Sequence, residues 1–362
     1  MLSALMRVIP PPSYITLPCV GVDISDTSLK YVSFAPTLRD NTHREIKQWG
    51  DITIPNGIVN RGEVNDVKKL VAVLKEFKDK SGAEFVRVSL PEEKAYLFET
   101  DIKHSTPYKE LRSLLEFRLE ENVPIPSRDV FFDYSILPSL PGAKSVTVSV
   151  VAYAKQIIQS YYDACVEAGL RPVSFEVEAQ AMARAVVPQH AAGSVMVVDF
   201  GKTRSGIGIV HKGALLYAST IDIGGDQLSL TLRKVLGDRT EAELTHIKNT
   251  QGLVRAVESS EVRDSLIQIV SVVRDELVTR MQYWHTRTGH DDARRITSII
   301  LCGGSANLKG IPEYFTETLG IPTVRGNVWE NVFSLTDTIP PIDRQHSFGY
   351  AAAIGLALKS TV

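Results

Sequence analysis

Val195, Met196, Val197, Val198, Asp199, Phe200, Gly201, Lys202, Thr203, Arg204, Ser205, Gly206, Ile207, Gly208, Ile209, Val210 is the stretch on which the fold turns. Val195–Val198 is an apolar, mostly β-branched run suited to a buried strand. Asp199 ends it, 201–205 supplies a polar turn, and 206–210 resumes a strand. The unit reads as a hairpin with an acid at its mouth. A tight turn of small and hydroxyl residues presents backbone N–H groups to a phosphate chain. An acid beside phosphates is useful when Mg²⁺ and its waters lie between them. An ordinary hairpin with a solvated Asp has the same sequence.

A second copy favours the ligand reading. Gly21, Val22, Asp23, Ile24, Ser25, Asp26, Thr27, Ser28, Leu29, Lys30 repeats the plan of strand, Asp, polar turn, strand. The interval from Asp23 to Asp199 equals that from Thr27 to Thr203. Like units at so long a spacing point to two related lobes, each offering one hairpin to a shared cleft.

The 362 residues suffice for two core-forming lobes. Charged residues are 23% and the net charge is −2, which gives no global electrostatic case for nucleic acid. Cys19, Cys165 and Cys302 are scattered and odd in number, which fits a reducing compartment and gives no zinc spacing. No apolar run approaches the roughly 20 residues of a membrane helix. The start, Met1–Ile9, carries Arg7 and stops at three prolines, so a short tail on a cytoplasmic protein is expected rather than a signal peptide.

Along the chain, 46–54 reads as a third strand, 64–78 as a helix and 85–90 as a strand. Residues 94–172 read as a β-α-β-β-α subdomain: strand 94–102, helix 107–122 closed by Pro124 and Pro126, strands 130–137 and 145–153, helix 155–168. A helix over 176–187 returns to the first lobe. In the second half, strand 214–223 ends at Gly224 and Gly225 before helix 227–236. Such glycines let backbone approach a ligand at a helix N-terminus. Helices follow at 242–248 and 262–285, the latter with an apolar stripe that core packing explains. Strand 296–301 runs into Cys302, Gly303, Gly304, Ser305, and 347–358 is a Gly- and Ala-rich helix fit for close packing.

Two Asp hairpins, a Gly-Gly before a helix and a Gly-Gly after a strand resemble, in this order, the phosphate 1, phosphate 2 and adenosine motifs of the actin-like ATPase superfamily. Within it the chain is most similar to the PilM family of type IV pilus assembly, relatives of the division protein FtsA. The resemblance runs from about Val20 onward and is strongest over 120–126 (Glu-Glu-Asn-Val-Pro-Ile-Pro), 199–227 and 302–310.

It implies an α/β, actin-like (ribonuclease H-like) two-lobed ATPase fold with an inserted α+β subdomain. The expected boundaries are a tail over 1–19, a first lobe over 20–93 and 173–194 with the C-terminal helix 346–362, an insert over 94–172, and a second lobe over 195–345. Asp23 and Asp199 would face Mg²⁺ through water. Thr27, Ser28, Gly201, Lys202 and Thr203 would line the phosphates of ATP. Gly224, Gly225, Gly303 and Gly304 would approach its sugar and base, and Ser25, Lys30, Lys248 and Ser305 complete the set. The insert, with the first lobe, would hold a short N-terminal peptide of a PilN-like inner-membrane protein. That would recruit a cytoplasmic scaffold to the membrane, with self-association open.

Ser25 stands where the family usually has Gly, Asp26 where a small polar residue is usual, and Thr245, on the helix that keeps Lys248, where a Glu is expected. An extra acid near phosphates is unfavourable without a cation. Hydrolysis is therefore expected to be slow or absent. A kinase of the same superfamily would need a catalytic base beside a substrate pocket, and no acid stands out for it. An FtsA-like protein would carry an amphipathic helix after the packed one; the chain given ends at Val362, which favours the pilus reading.

Overall fold

The computed structural model describes residues 18–35, 44–139, 142–254, 260–289 and 291–359. Of the expected tail over 1–19, residues 1–17 lie outside these, and Cys19 opens the first strand. Two five-stranded sheets of one design organise the chain. In the first, Arg171–Val177, Phe85–Leu90 and Cys19–Ile24 run parallel, and Ser28–Phe34 and Ile46–Thr53 follow antiparallel. In the second, Thr323–Arg325, Ile296–Cys302 and Ser194–Phe200 run parallel, then Ser205–His211 and Ala214–Ile221 antiparallel. The strands ending near Asp23 and Asp199 hold the central place in their sheets, which makes the two hairpins structural counterparts.

Each central strand is apolar on both faces because helices cover both. Val20, Val22 and Ile24 join one core, which includes Leu70, Leu74 and Phe77 of the helix Val67–Ser81. Met196 and Val198 join a second core with Leu266, Val270, Val273 and Leu277 of the helix Ser260–Arg287. Asp66 caps the first of these helices by accepting from the Lys69 amide at 3.1 Å.

The helix Ala351–Leu358 is buried throughout and lies on the first sheet and on the helix Glu178–Val186. A Cβ on Gly21 would sit 2.1 Å from the Ala353 carbonyl oxygen, and one on Gly355 would sit 1.7 Å from that of Ala181. The small residues let these elements pack backbone to backbone.

The insert is a three-stranded sheet, Tyr96–Lys103, Ser145–Ala154 and Val130–Ile136 in that order, under the helix Tyr108–Asn122. Leu111, Leu115 and Leu119 fill its core with Phe98, Val148 and Val150. It is narrower than the five-element reading. The helix Lys155–Glu167 buries Tyr161, Ala164 and Cys165 in the first lobe's core instead. The strand Arg171–Val177 is a further difference. Its Pro172, tolerable on this edge strand, and a bulge between Pro172 and Ser174 obscure the alternation that would announce it. The insert is tied to the second lobe as well: Glu99 pairs with Arg294 at 2.7 Å and Arg287 at 3.5 Å.

Candidate functional site

Both hairpins open onto one cleft of about 920 Å³ between the lobes. The turn 25–28 forms one wall, and the turn 201–204 faces it from the second lobe. This is ample for a nucleotide-sized ligand, since such pockets run to about 300–1,000 Å³.

Four carboxyl groups converge on its floor. Asp23 is buried and accepts a hydrogen bond from Ser89 Oγ at 2.7 Å. Burial pushes Asp199 up to about 7, with the nearby Asp23 charge adding to the effect. Glu92 is pushed up to about 8 by burial, with Asp199, Glu93 and Asp23 contributing. Glu178, at the first turn of its helix, is raised well above the usual carboxylate range, again chiefly by burial. Among the described residues, Glu92 Oε2 is buried without a hydrogen-bond partner. Like charges gathered out of water are costly unless a cation compensates them. Two aspartates on facing hairpins suit a Mg²⁺ held through its waters, while among the described residues no three His, Cys, Asp or Glu side chains are grouped to ligate a metal directly. The Glu92 carboxyl packs against Gly206, its Oε1 1.8 Å from where a Cβ would stand, so a larger residue there would displace the carboxyl.

The first turn is closed by its own side chains. Ser25 Oγ accepts from the Ser28 amide at 3.2 Å and donates to the Ser28 carbonyl at 3.0 Å. This local bond takes one amide away from any phosphate. Lys30 donates to Ser28 Oγ and lies 3.6 Å from Asp51. Asp26, the extra acid, is neutralised from the opposite lobe: Arg204 binds it at 2.6 Å and also pairs with Glu93. Glu93 Oε2 further accepts from Thr220 Oγ1 at 3.2 Å.

On the other side of the cleft, Gly225 and Asp226 donate their amides to the carbonyls of Gly201 and Lys202 at 3.0 and 2.9 Å. The helix Gly225–Leu236 thus directs its first N–H groups at the second hairpin. Gly224 is turned into the protein, where a Cβ would meet the Lys202 oxygen at 2.5 Å. Its role here is to let helix and hairpin dock, and it does not line the cleft. Ser305 Oγ donates to the Gly201 carbonyl at 3.0 Å. Gly303, at φ +82°, leaves room for Asp199, whose Oδ1 would lie 2.3 Å from a Cβ there. Gly304 borders open space, with no atom within 4 Å of its absent Cβ, as close approach of a ligand requires.

Lys248 is buried and donates to Ser229 Oγ at 2.7 Å and to Glu241 at 3.3 Å. Glu241 therefore supplies the acid expected at Thr245. It lies seven residues before Lys248, two turns along the same helix face.

Every candidate residue except Gly224 lines the cleft. Sequence reasoning missed Glu92, Glu178, Arg204 and Glu241, which line it too. Glu92 and Glu178 correct the view that no acid stands out. They sit just beyond the ends of strands Phe85–Leu90 and Arg171–Val177, and only the unforeseen pairing of those strands brings them together.

The chain matches the family described as type IV pilus assembly protein PilM over residues 21–361. Its fold resembles that of a chain solved in a PilM–PilN type IV pilus biogenesis complex, with a TM-score of 0.76 and 20% identity, covering 95% of this chain and 98% of that one. MreB5 of Spiroplasma citri bound to ADP aligns with a TM-score of 0.52 and 14% identity, over 93% of this chain and 94% of that one. Cell division protein FtsA of Pseudomonas aeruginosa is 27% identical over 234 residues, 60% of this chain. The chain spans about half (53%) of the length of that curated relative. This chain belongs to the PilM family of type IV pilus assembly proteins and has an actin-like fold. Among the described residues, no helix is long and apolar enough to cross a membrane.

Proposed function

We propose that this PilM-family chain is a cytoplasmic, nucleotide-binding scaffold. It holds ATP with Mg²⁺ between its lobes and binds a short N-terminal peptide of a PilN-like inner-membrane protein. The observation that carries the nucleotide reading is that Asp23 and Asp199, on counterpart hairpins, line one cleft, with Glu92 near both. The MreB5 relative, solved with ADP, lends it support. The two aspartates would orient a hydrated cation; the turns 25–28 and 201–203 would hold phosphates; Gly304, Glu241 and Lys248 would flank the sugar and base. The bound cation would supply charge neutralisation for the phosphates.

Hydrolysis is slow or absent in this account. Arg204, the guanidinium beside the turns, is held by two carboxylates, and Ser25 occupies the Ser28 amide. Burial also raises Glu92 and Glu178 above the usual carboxylate range in the nucleotide-free cleft, which disfavours the charged form that a base for activating water needs.

The partner reading is supported by the similarity to a chain solved in a PilM–PilN complex. On the insert, Val130–Ile136 is an edge strand with Phe131 and Ile136 half-exposed. An extended peptide could pair with such an edge and seat apolar side chains beside it. Fluorescently labelled N-terminal peptides of candidate inner-membrane partners, titrated against the intact protein with and without ATP, test this. Saturable binding that Phe131→Ser weakens by about tenfold supports the scaffold. Absence of binding under both conditions contradicts it.

A further inference from the structure

On one side of the cleft a row of polar contacts crosses from the first lobe to a single corner of the second. The ladder of the second sheet pairs Ser205 with Ile221 and Gly206 with Thr220, which brings Arg204, Thr220 and Asp222 together at its end. Arg204 takes Asp26 and Glu93 from the first lobe, Thr220 donates to Glu93 at 3.2 Å, and Asp222 pairs with Arg61. Arg61 is an unusual residue for its place. With Gly62 it makes the two-residue turn of the hairpin Val59–Asn60 and Glu63–Val64, and both stand at positive φ, +51° and +70°. Glycine and asparagine suit such a turn, whereas a long side chain in a left-handed backbone is strained. The rest of the hairpin is fastened to the first lobe. Tyr161 Oη donates to the Gly62 carbonyl at 3.1 Å, Lys94 pairs with Glu63, and Gly62 packs on Pro91, whose Cγ would lie 2.1 Å from a Cβ. A strained residue on a fixed arm thus carries its guanidinium across to the other lobe.

We propose that these contacts are a clasp that holds the lobes closed over the cleft, with Arg204 as the inner fastening and Arg61 as an outer one that salt loosens. The inner side chains are 14–19% exposed, so their attraction is strong and little screened. Losing one partner leaves a charge stranded there. Arg61 and Asp222 are 61% and 64% exposed, where a pair is weak and yields to salt. The segment 91–94 joins the two fastenings: Glu93 holds Arg204, while Pro91 and Lys94 steady the arm that presents Arg61. Opening the cleft therefore means releasing both. The clasp is built from the chain's own residues and does not rest on the nucleotide reading.

The test measures the distance between the lobes in the intact protein, with no nucleotide added, by double electron–electron resonance between spin labels. The labels go on Lys68→Cys and Lys234→Cys, exposed helix positions on the two lobes, in a Cys19→Ser background; Cys165 and Cys302 are buried. The unaltered clasp should give one narrow, closed population. Arg204→Gln should raise the longer, open population by at least about tenfold. Asp26→Asn with Glu93→Gln frees the same guanidinium from the opposite lobe and should do likewise, which separates opening from misfolding around one substitution. Arg61→Gly, which also relieves its backbone, should raise the open population about twofold and abolish the response to a rise from about 0.1 M to about 1 M salt. Distances unchanged in both inner variants, or changed by Arg204→Gln alone, overturn the proposal. A salt response that persists in Arg61→Gly overturns the role of Arg61.

Discussion

Arg204 and Asp26 meet at 2.6 Å across the cleft, joining the turns of the two counterpart hairpins. Arg204 also holds Glu93, and it is only 16% exposed, so one guanidinium from the second lobe ties down two first-lobe acids. The pairing explains how the chain tolerates an acid in this turn: Asp26 makes a lobe-to-lobe contact with Arg204.

Removing the arginine should cost more than removing the aspartate. Arg204→Gln leaves Asp26 and Glu93 facing each other without a cation, whereas Asp26→Asn leaves Arg204 its Glu93 partner. Unpaired, largely buried charges are strongly destabilising. We expect a loss of about 2 kcal/mol for Arg204→Gln and about half that for Asp26→Asn, read by urea unfolding. Equal losses would show that the second ion pair contributes nothing.

The two glycines after the strand Ile296–Cys302 should behave oppositely. Gly303→Ala forces a side chain into a left-handed backbone against Asp199 and should destabilise by about 2–3 kcal/mol. Gly304→Leu meets open space, should fold normally, and should weaken ATP binding by at least about tenfold by filling the cleft. Thermal unfolding and nucleotide binding measured on both variants separate these roles. A Gly304→Leu protein that binds ATP as before would remove this glycine from the site.

The fold was largely legible because its two decisive units are local. A β-branched run, an Asp and a small polar turn specify a hairpin from neighbouring residues alone, and the repeat at 23 and 199 doubled the signal. What stayed hidden was non-local. Arg171–Val177 could not be read as a strand across Pro172 and a bulge, so Glu178 was not seen to reach the cleft beside Glu92. The Arg204 contact joins residues far apart in sequence, and no pattern in either turn announces it. Gly224 shows the converse. Its motif was right for a glycine, but close docking of helix on hairpin needs that glycine as much as a ligand would.

Glu92 sets a pH dependence with a definite sign. Its folded value of about 8 stands above the usual carboxylate value of 4.5, so the folded state holds the proton longer than the unfolded one. Its contribution is fully present below about pH 4.5 and is lost as pH rises toward 8. Nucleotide-free protein should therefore lose stability over this window, on the order of a few kcal/mol. Glu92→Gln should flatten much of that slope. Urea midpoints from pH 5 to 8.5 for both proteins test it, and parallel slopes would assign the effect elsewhere.

The central claim is that the paired aspartates bind a nucleotide through a cation, and isothermal calorimetry of the intact protein with ATP tests it most directly. With Mg²⁺ the account predicts one site per chain, weakened by at least about tenfold in Asp199→Ala and weakened likewise when Mg²⁺ is withheld from the unaltered protein. Affinity that is unchanged by Asp199→Ala, or no binding of ATP with Mg²⁺ at all, contradicts it.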